Sequence, residues 1–110
     1  MARVNIIEYV TIATVGNTTD FGNLTAARGQ VTATGSSTRG LFLAGDTPTV
    51  SDVIDYITIA STGDASDFGD ASEAKDFCAS LSSSTRGVLF GGTPDGGSTL
   101  RDTIEYVTIA

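Results

Sequence analysis

Short apolar runs alternate along the chain with stretches rich in Gly, Asp, Ser and Thr. The apolar runs are rich in β-branched and aromatic side chains, as in IEYVTIA at 7–13 and LFLAG at 41–45. Runs of this length, bounded by turn-forming residues, predict β-strands. SEAKDF at 72–77 could form about one helical turn, but its equivalent TAARGQ at 25–30 argues against a helix. The pattern therefore predicts an all-β fold.

The pattern is an internal repeat. Residues 7–45 align with 54–92 without a gap, and 16 of the 39 positions are identical, where composition predicts about two or three. IEYVTIA returns as IDYITIA at 54–60 and, letter for letter, as IEYVTIA at 104–110. The chain is therefore one repeat domain, 1–110. Its predicted parts are repeat unit 1 at about 5–51, repeat unit 2 at about 52–101 and a partial third unit at 102–110.

Each unit is predicted to contain four short strands. Counted from GQVTATG or DFCASLS as the first strand, the second is LFLAG or VLFGG, the third is the next IEYVTIA segment along the chain, and the fourth begins at DFG. Four short strands in about 50 residues are typical of one blade of a β-propeller. Because the IEYVTIA segment is apolar on both faces, its sheet should be covered on both sides.

Two blades and one extra strand do not close a ring, since propellers have about four to eight blades. The sequence therefore predicts two four-stranded blades plus one extra strand, with the ring closed by homo-oligomerisation. Two to four chains would suffice, and a cyclic trimer with six blades is preferred. A segment of a longer propeller is the alternative. The surplus third strand either exchanges into a neighbouring chain's blade or frays.

These motifs carry a family resemblance. VLFGG at 88–92, a variable loop, DTIEYVTIA at 102–110 and the aromatic-bearing SDFGD at 66–70 resemble the kelch repeat. The chain has Phe21 and Phe68 where kelch blades carry Trp, and Ala44-Gly45 where they carry a double glycine. IEYVTIA, TDFG and SSTRG are also similar to repeats of marine bacteriophage structural and tail-fibre-like proteins. That resemblance implies a virion location and a structural or adhesin role.

The charge balance limits the partners. With 13 acidic and 6 basic residues the net charge is −7, which disfavours nucleic acid and anionic membrane surfaces. No apolar run approaches the ~20 residues needed to cross a bilayer. The single cysteine, Cys78, is predicted to be a small buried hydrophobe.

Catalytic chemistry has few candidates because the chain contains no His. Glu8, Asp55 and Glu105 occupy one repeat position, which favours structural ion pairs, with Arg39 and Arg86 as predicted partners. Turn chemistry explains the acidic DASDFGD segment at 64–70 better than calcium does. We therefore predict a protein that is not an enzyme and has no catalytic residues, no metal site and no cofactor. A carboxylate-dependent glycan-active enzyme stays an alternative.

The loops between second and third strands differ between the units, and variable loops on a rigid scaffold are where binding tends to occur. A solvent loop without a ligand is equally compatible with them. Tyr9, Tyr56 and Tyr106 recur in mid-strand and are predicted to be packing anchors. The favoured function is a scaffold and binding module, with a surface glycan as a candidate ligand. A propeller fragment with no function beyond folding and assembly is a further alternative. The predicted binding residues are Asp46, Thr47, Thr49, Asp95, Ser98 and Thr99.

Overall fold

The computed structural model describes residues 2–109, and these residues form nine β-strands and no helix. Consequently, this part of the chain contains no helix that could span a membrane. The all-β prediction is confirmed, and SEAKDF at 72–77 continues a strand as far as Lys75. The strands are β1 (Ile6–Tyr9), β2 (Thr19–Asn23), β3 (Thr32–Gly35), β4 (Arg39–Leu43), β5 (Ser51–Thr58), β6 (Ser66–Lys75), β7 (Ala79–Ser82), β8 (Arg86–Phe90) and β9 (Ile104–Thr108).

The strands form three antiparallel sheets. The middle sheet has the order β3-β4-β5-β6, so its four strands are neighbours in chain order. The first sheet contains only β1 and β2, which are equivalent by repeat to β5 and β6. The third sheet, β7-β8-β9, is equivalent to β3-β4-β5. The middle sheet is thus the one complete four-stranded unit among the described residues.

The middle sheet packs against apolar residues on both faces, as the apolar IDYITIA segment predicts, although the first sheet covers only part of one face. Because successive strand residues point to opposite faces, Leu41 and Phe42 pack on different neighbours. Leu41 belongs to a cluster between the middle and third sheets, together with Ile54, Leu89 and Ile109. Phe42 packs on a smaller cluster from the first sheet and its exit, made of Ile7, Phe21 and Leu24. The first and third sheets therefore contact opposite faces of the middle sheet.

Hydrogen bonds between side chains and backbone join the first strands of adjacent sheets. Ser80 Oγ on β7 donates to Ala33 O on β3 at 3.0 Å and lies 2.7 Å from Thr32 Oγ1. One step along the strands, Ser82 Oγ donates to Gly35 O at 2.6 Å. These small hydroxyl side chains let β3 and β7 run side by side.

Candidate assembly interface

A buried ion pair links the first and middle sheets. Asp55 on β5 has no exposed surface, and its carboxylate accepts hydrogen bonds from Thr25 N at 3.0 Å and Thr25 Oγ1 at 2.8 Å. Arg28 Nη2 donates to the same carboxylate at 2.9 Å. Arg28 Nη1 also donates to Ala44 O and Val53 O. The charge of Arg28 is therefore compensated where the chain leaves β2.

The same arrangement recurs 47 to 50 residues later. Glu105 on β9 accepts hydrogen bonds from Ser72 N at 2.8 Å and Ser72 Oγ at 2.6 Å, and lies 3.4 Å from Lys75 Nζ. Lys75 is completely buried. Burial acts to raise the pKa of Glu105, but the hydrogen bonds from Ser72 and the charge of Lys75 hold it below its usual value. Each of these carboxylates thus ties its own sheet to the preceding one.

The predicted pairing of these carboxylates with Arg39 and Arg86 is wrong. The Arg39 guanidinium lies over the Tyr56 ring at 4.5 Å, and that of Arg86 lies over Tyr106 at 4.2 Å. Arg39 and Tyr56 share one face of the middle sheet, because Leu41 pairs with Tyr56 in the register of β4 and β5. Asp55 is next in sequence to Tyr56 and so points to the other face, out of reach of Arg39.

Within residues 2–109, the middle sheet alone has a complete Arg-Tyr-Phe stack. There Arg39 covers Tyr56, whose ring meets Phe68 edge to face at 6.0 Å between centroids. In the first sheet Tyr9 meets Phe21 at 5.9 Å, but the strand that would carry the arginine is absent from that sheet. The packing role predicted for all three recurring tyrosines is therefore observed at Tyr9 and Tyr56, whereas Tyr106 is 61% exposed and meets no phenylalanine ring within residues 2–109.

Among the described residues, the third sheet has the arginine and the tyrosine of the stack but lacks the phenylalanine. Arg86 covers Tyr106, and in the part of the chain that the structure describes the sheet of β9 has three strands, β7, β8 and β9. The strand that would supply the phenylalanine is the equivalent of β2 or β6. The first sheet thus offers Tyr and Phe, and the third sheet offers Arg and Tyr.

A groove lies where the first sheet lacks its first and second strands. It has a volume of about 600 Å³. At the equivalent place between the middle and third sheets, where both strands are present, the cavity is about 10 Å³ and is lined by Leu43, Ile54, Leu89 and Val107, among others. The groove is therefore the space that two strands would fill. Its lining includes Ile7, Tyr9 and Phe21 from the first sheet and Phe42, Ile57 and Ile59 from the middle sheet.

The third sheet carries an uncovered apolar face. Val88 pairs with Tyr106, and Phe90 with Ile104, so these four side chains share one face. Ile104 is 76% exposed and Tyr106 is 61% exposed, whereas Ile54, the equivalent of Ile104, is 1% exposed in the middle sheet. The same kind of residue is buried wherever another sheet covers it.

The predicted ligand-binding residues lie in two loops of adjacent sheets. Thr47 and Asp95 make their polar contacts within their own loops, whereas Asp46 contacts residues outside its loop. Asp46 forms an ion pair with Arg3, and Thr47 Oγ1 donates to the carbonyl of Thr49 at 3.1 Å. Asp95, Ser98 and Thr99 are exposed in the loop between β8 and β9.

Asp95 organises the second of these loops. Its Oδ1 accepts hydrogen bonds from Thr93 Oγ1 at 2.9 Å and from Thr99 N at 2.8 Å. The hydrogen bonds from Thr99 lower the pKa of Asp95, so this carboxylate is ionised at neutral pH. The loop therefore presents a fixed negative charge next to two exposed hydroxyl groups.

The other chemical candidates have structural surroundings. Asp64 accepts a hydrogen bond from Asn23 N at 3.0 Å, which joins the turn before β6 to the first sheet. Residues 2–109 contain no group of three or more His, Cys, Asp or Glu side chains placed to hold a metal ion. Burial raises the pKa of the half-buried Cys78 thiol, and this side chain packs against the larger apolar cluster. No family model and no curated protein matches the chain.

Proposed function

We propose that this protein is a non-enzymatic β-propeller scaffold that assembles from copies of itself, head to tail. The observation that carries the proposal is the apolar groove of about 600 Å³ beside β1. An exposed apolar surface of this kind, next to unpaired strand edges, is typical of an interaction site. The third sheet of a second copy is the occupant that fits it by repeat equivalence.

The fit follows from residue positions. Val88 and Phe90 are the repeat equivalents of Leu41 and Leu43, which fill the interface between the middle and third sheets. In a head-to-tail pair, Val88 and Phe90 would face Phe42 and Ile57 in the groove. Arg86 of one copy and Phe21 of the next would complete the Arg-Tyr-Phe stack. The two edges of one chain are thus complementary, as a heterologous interface requires.

A ring follows if the rotation between copies closes. Each copy then contributes eight of its nine described strands, which is two blades, so two to four copies give the usual four to eight blades. Our preferred ring has three copies. Light scattering coupled to size exclusion at 1 to 100 micromolar tests this: the expected mass is three times 11.2 kDa. A folded monomer throughout that concentration range would contradict the proposal.

We place ligand binding at the loops between second and third strands. The buried carboxylate of Asp55 is held by Thr25 and Arg28, which leaves no free acid there for glycoside cleavage. The exposed Asp95, Ser98 and Thr99 suit hydrogen bonding to a surface glycan. The resemblance to phage repeats supports an adhesin or structural role in a virion. Binding on a glycan array without release of reducing sugar is the expected result, and release of reducing sugar contradicts it.

A further inference from the structure

In the proposed assembly, β1 of one copy and β9 of another compete for the same position in a blade. The blade at each junction takes first and second strands from β7 and β8 of one copy, and its fourth strand from β2 of the next. Both β9 of the first copy and β1 of the second could be its third strand, because residues 7–13 and 104–110 have the same sequence. Only one of the two can occupy the place between β8 and β2.

We infer that β9 keeps its place in the assembly and that β1 is displaced. In the free chain β1 pairs with the edge of β2, and β9 of another copy then takes that position. The inference rests on the proposed self-assembly. It means that each chain protects one of its own sheet edges with a short copy of the strand that the neighbour will supply. Exposed strand edges pair readily with other chains, so such a cover limits unwanted pairing.

The two strands are held to very different extents. Ile109 beside β9 is 1% exposed, and its N–H donates to Thr85 O at 2.8 Å. The equivalent of Ile109 in the first segment is Ile12, which is 96% exposed, and β1 already ends at Tyr9. The second half of the IEYVTIA segment is therefore packed against the protein in the copy that contains β9, and exposed to solvent in the copy that contains β1.

The charged contacts of the two strands also favour β9 as the strand that keeps its place. Removing β9 would take Glu105 away from the completely buried Lys75, and an unpaired buried charge is strongly unfavourable. Removing β1 would release Glu8, which accepts a hydrogen bond from the exposed Thr18 and forms no ion pair within residues 2–109. Releasing β1 thus breaks the weaker set of contacts.

The register predicts the contacts after exchange. On the middle sheet, Tyr56 pairs with Ser66 and Ile54 with Gly69. By equivalence, Tyr106 of one copy would pair with Thr19 of the next, and Ile104 with Gly22. These are the positions that Tyr9 and Ile7 occupy on β2 in the free chain.

Substitution of equivalent isoleucines tests the exchange by measuring the association constant. Ile104→Ser removes a side chain that is 76% exposed in the free chain but buried after exchange, so association should weaken by about tenfold or more. Ile7→Ser removes a side chain that is 8% exposed but belongs to the strand that leaves. Association of this variant should be at least as strong as that of the unmodified chain.

The outcomes separate the two proposals. If the unmodified chain is monomeric, self-assembly itself fails. If it assembles and Ile7→Ser weakens association while Ile104→Ser does not, or if neither does, assembly stands and the exchange is overturned.

A cross-link covers the case in which Ile7→Ser disturbs the first sheet. The double variant Thr19→Cys and Tyr106→Cys should form disulfides between chains under oxidising conditions, visible as a ladder on a non-reducing gel. These two residues lie on sheets at opposite faces of the middle sheet, so a bond within one chain is not expected. Absence of the ladder from an assembled sample would overturn the exchange.

Discussion

At the scale of single residues, burial of charge distinguishes residues that share a repeat position. Asp76 stands where the first unit has Gly29, and both residues form the same type of antiparallel bridge to a loop. Asp76 is 2% exposed, and its Oδ1 lacks a hydrogen-bond partner within residues 2–109. Burial, with a smaller contribution from the nearby charge of Asp46, raises the pKa of Asp76. The ionised Asp76 side chain therefore lowers the free energy of unfolding at neutral pH.

Asp76→Asn should increase the free energy of unfolding at pH 7 by about 1 kcal/mol. Because the pKa of Asp76 is raised in the folded state, its ionisation favours the unfolded state, and the stability cost is complete above the folded pKa. The cost disappears as the pH falls through that pKa to below about 4. Urea unfolding from pH 3.5 to 8 should show the gain at high pH only.

The exposed Asp70 provides the control for this measurement. Asp70→Asn removes the same charge from the surface, so its effect on stability should be small at each pH. A gain for Asp76→Asn that persists unchanged at pH 3.5 would contradict the assignment to ionisation.

Residue partners were harder to predict than residue roles. The recurrence of Glu8, Asp55 and Glu105 predicts structural ion pairs, and Asp55 and Glu105 form them, whereas Glu8 forms none within residues 2–109. Arg39 and Arg86 are the predicted partners because they recur with the same period, but they are not the observed ones. The true cations, Arg28 and Lys75, are also equivalent by repeat. Both residues are basic, and this similarity identifies them as candidate partners, but a count of identical residues leaves it out.

At the scale of elements, the three IEYVTIA-type segments show how far local sequence determines a strand. β5 extends over eight residues, β9 over five and β1 over four. Since residues 7–13 and 104–110 are identical, propensity alone cannot produce the difference. β5 has a neighbour on each side, and β9 has the middle sheet beneath its end. Strand order within a unit was predictable from turn residues and period, but strand length depends on neighbours that the sequence does not specify.

The DFG turn of the fourth strand offers a matched test of such contacts. Gly22 and Gly69 have nearly the same φ, +157° and +155°, so an added Cβ causes similar backbone strain at both. A Cβ at Gly22 would lie 2.1 Å from Gly63 O, whereas one at Gly69 would have no atom within 4 Å. Gly22→Ala should therefore lower the free energy of unfolding by about 2 kcal/mol more than Gly69→Ala.

Urea unfolding of the two variants under conditions where the chain is monomeric measures this difference. The comparison isolates the packing of the first sheet against the turn at Gly63, whose N–H donates to Phe21 O at 2.8 Å. Equal effects of the two substitutions would show that this turn moves aside without cost.

At the scale of the whole molecule, the incomplete sheets increase the solvent-accessible surface area. The chain exposes 6396 Å², whereas a compact monomer of 11.2 kDa is expected to expose about 5,700 Å². The excess agrees with an incomplete first sheet and an uncovered third sheet. The repeat period predicted that the strands do not make whole blades, but it could not show that the two ends carry complementary halves of one stack.

A head-to-tail interface predicts complementation between variants that block opposite edges. Ile59 lines the groove and is 48% exposed, and Ile104 is 76% exposed on the face of the third sheet. Ile59→Glu should block one edge and Ile104→Glu the other, so each variant alone should be monomeric. Each variant keeps one working edge, and an equimolar mixture should therefore form a dimer of one copy of each and no closed ring.

The dimer is the diagnostic species, because a symmetric interface uses the same patch on both copies and a blocked variant could not be rescued by the other. Light scattering of each variant and of their mixture measures the outcome. Val15→Glu is the charge-matched control, since Val15 is fully exposed and has Thr62 as its repeat equivalent; this variant should assemble like the unmodified chain. If the mixture stays monomeric while the control assembles, the edges do not meet head to tail.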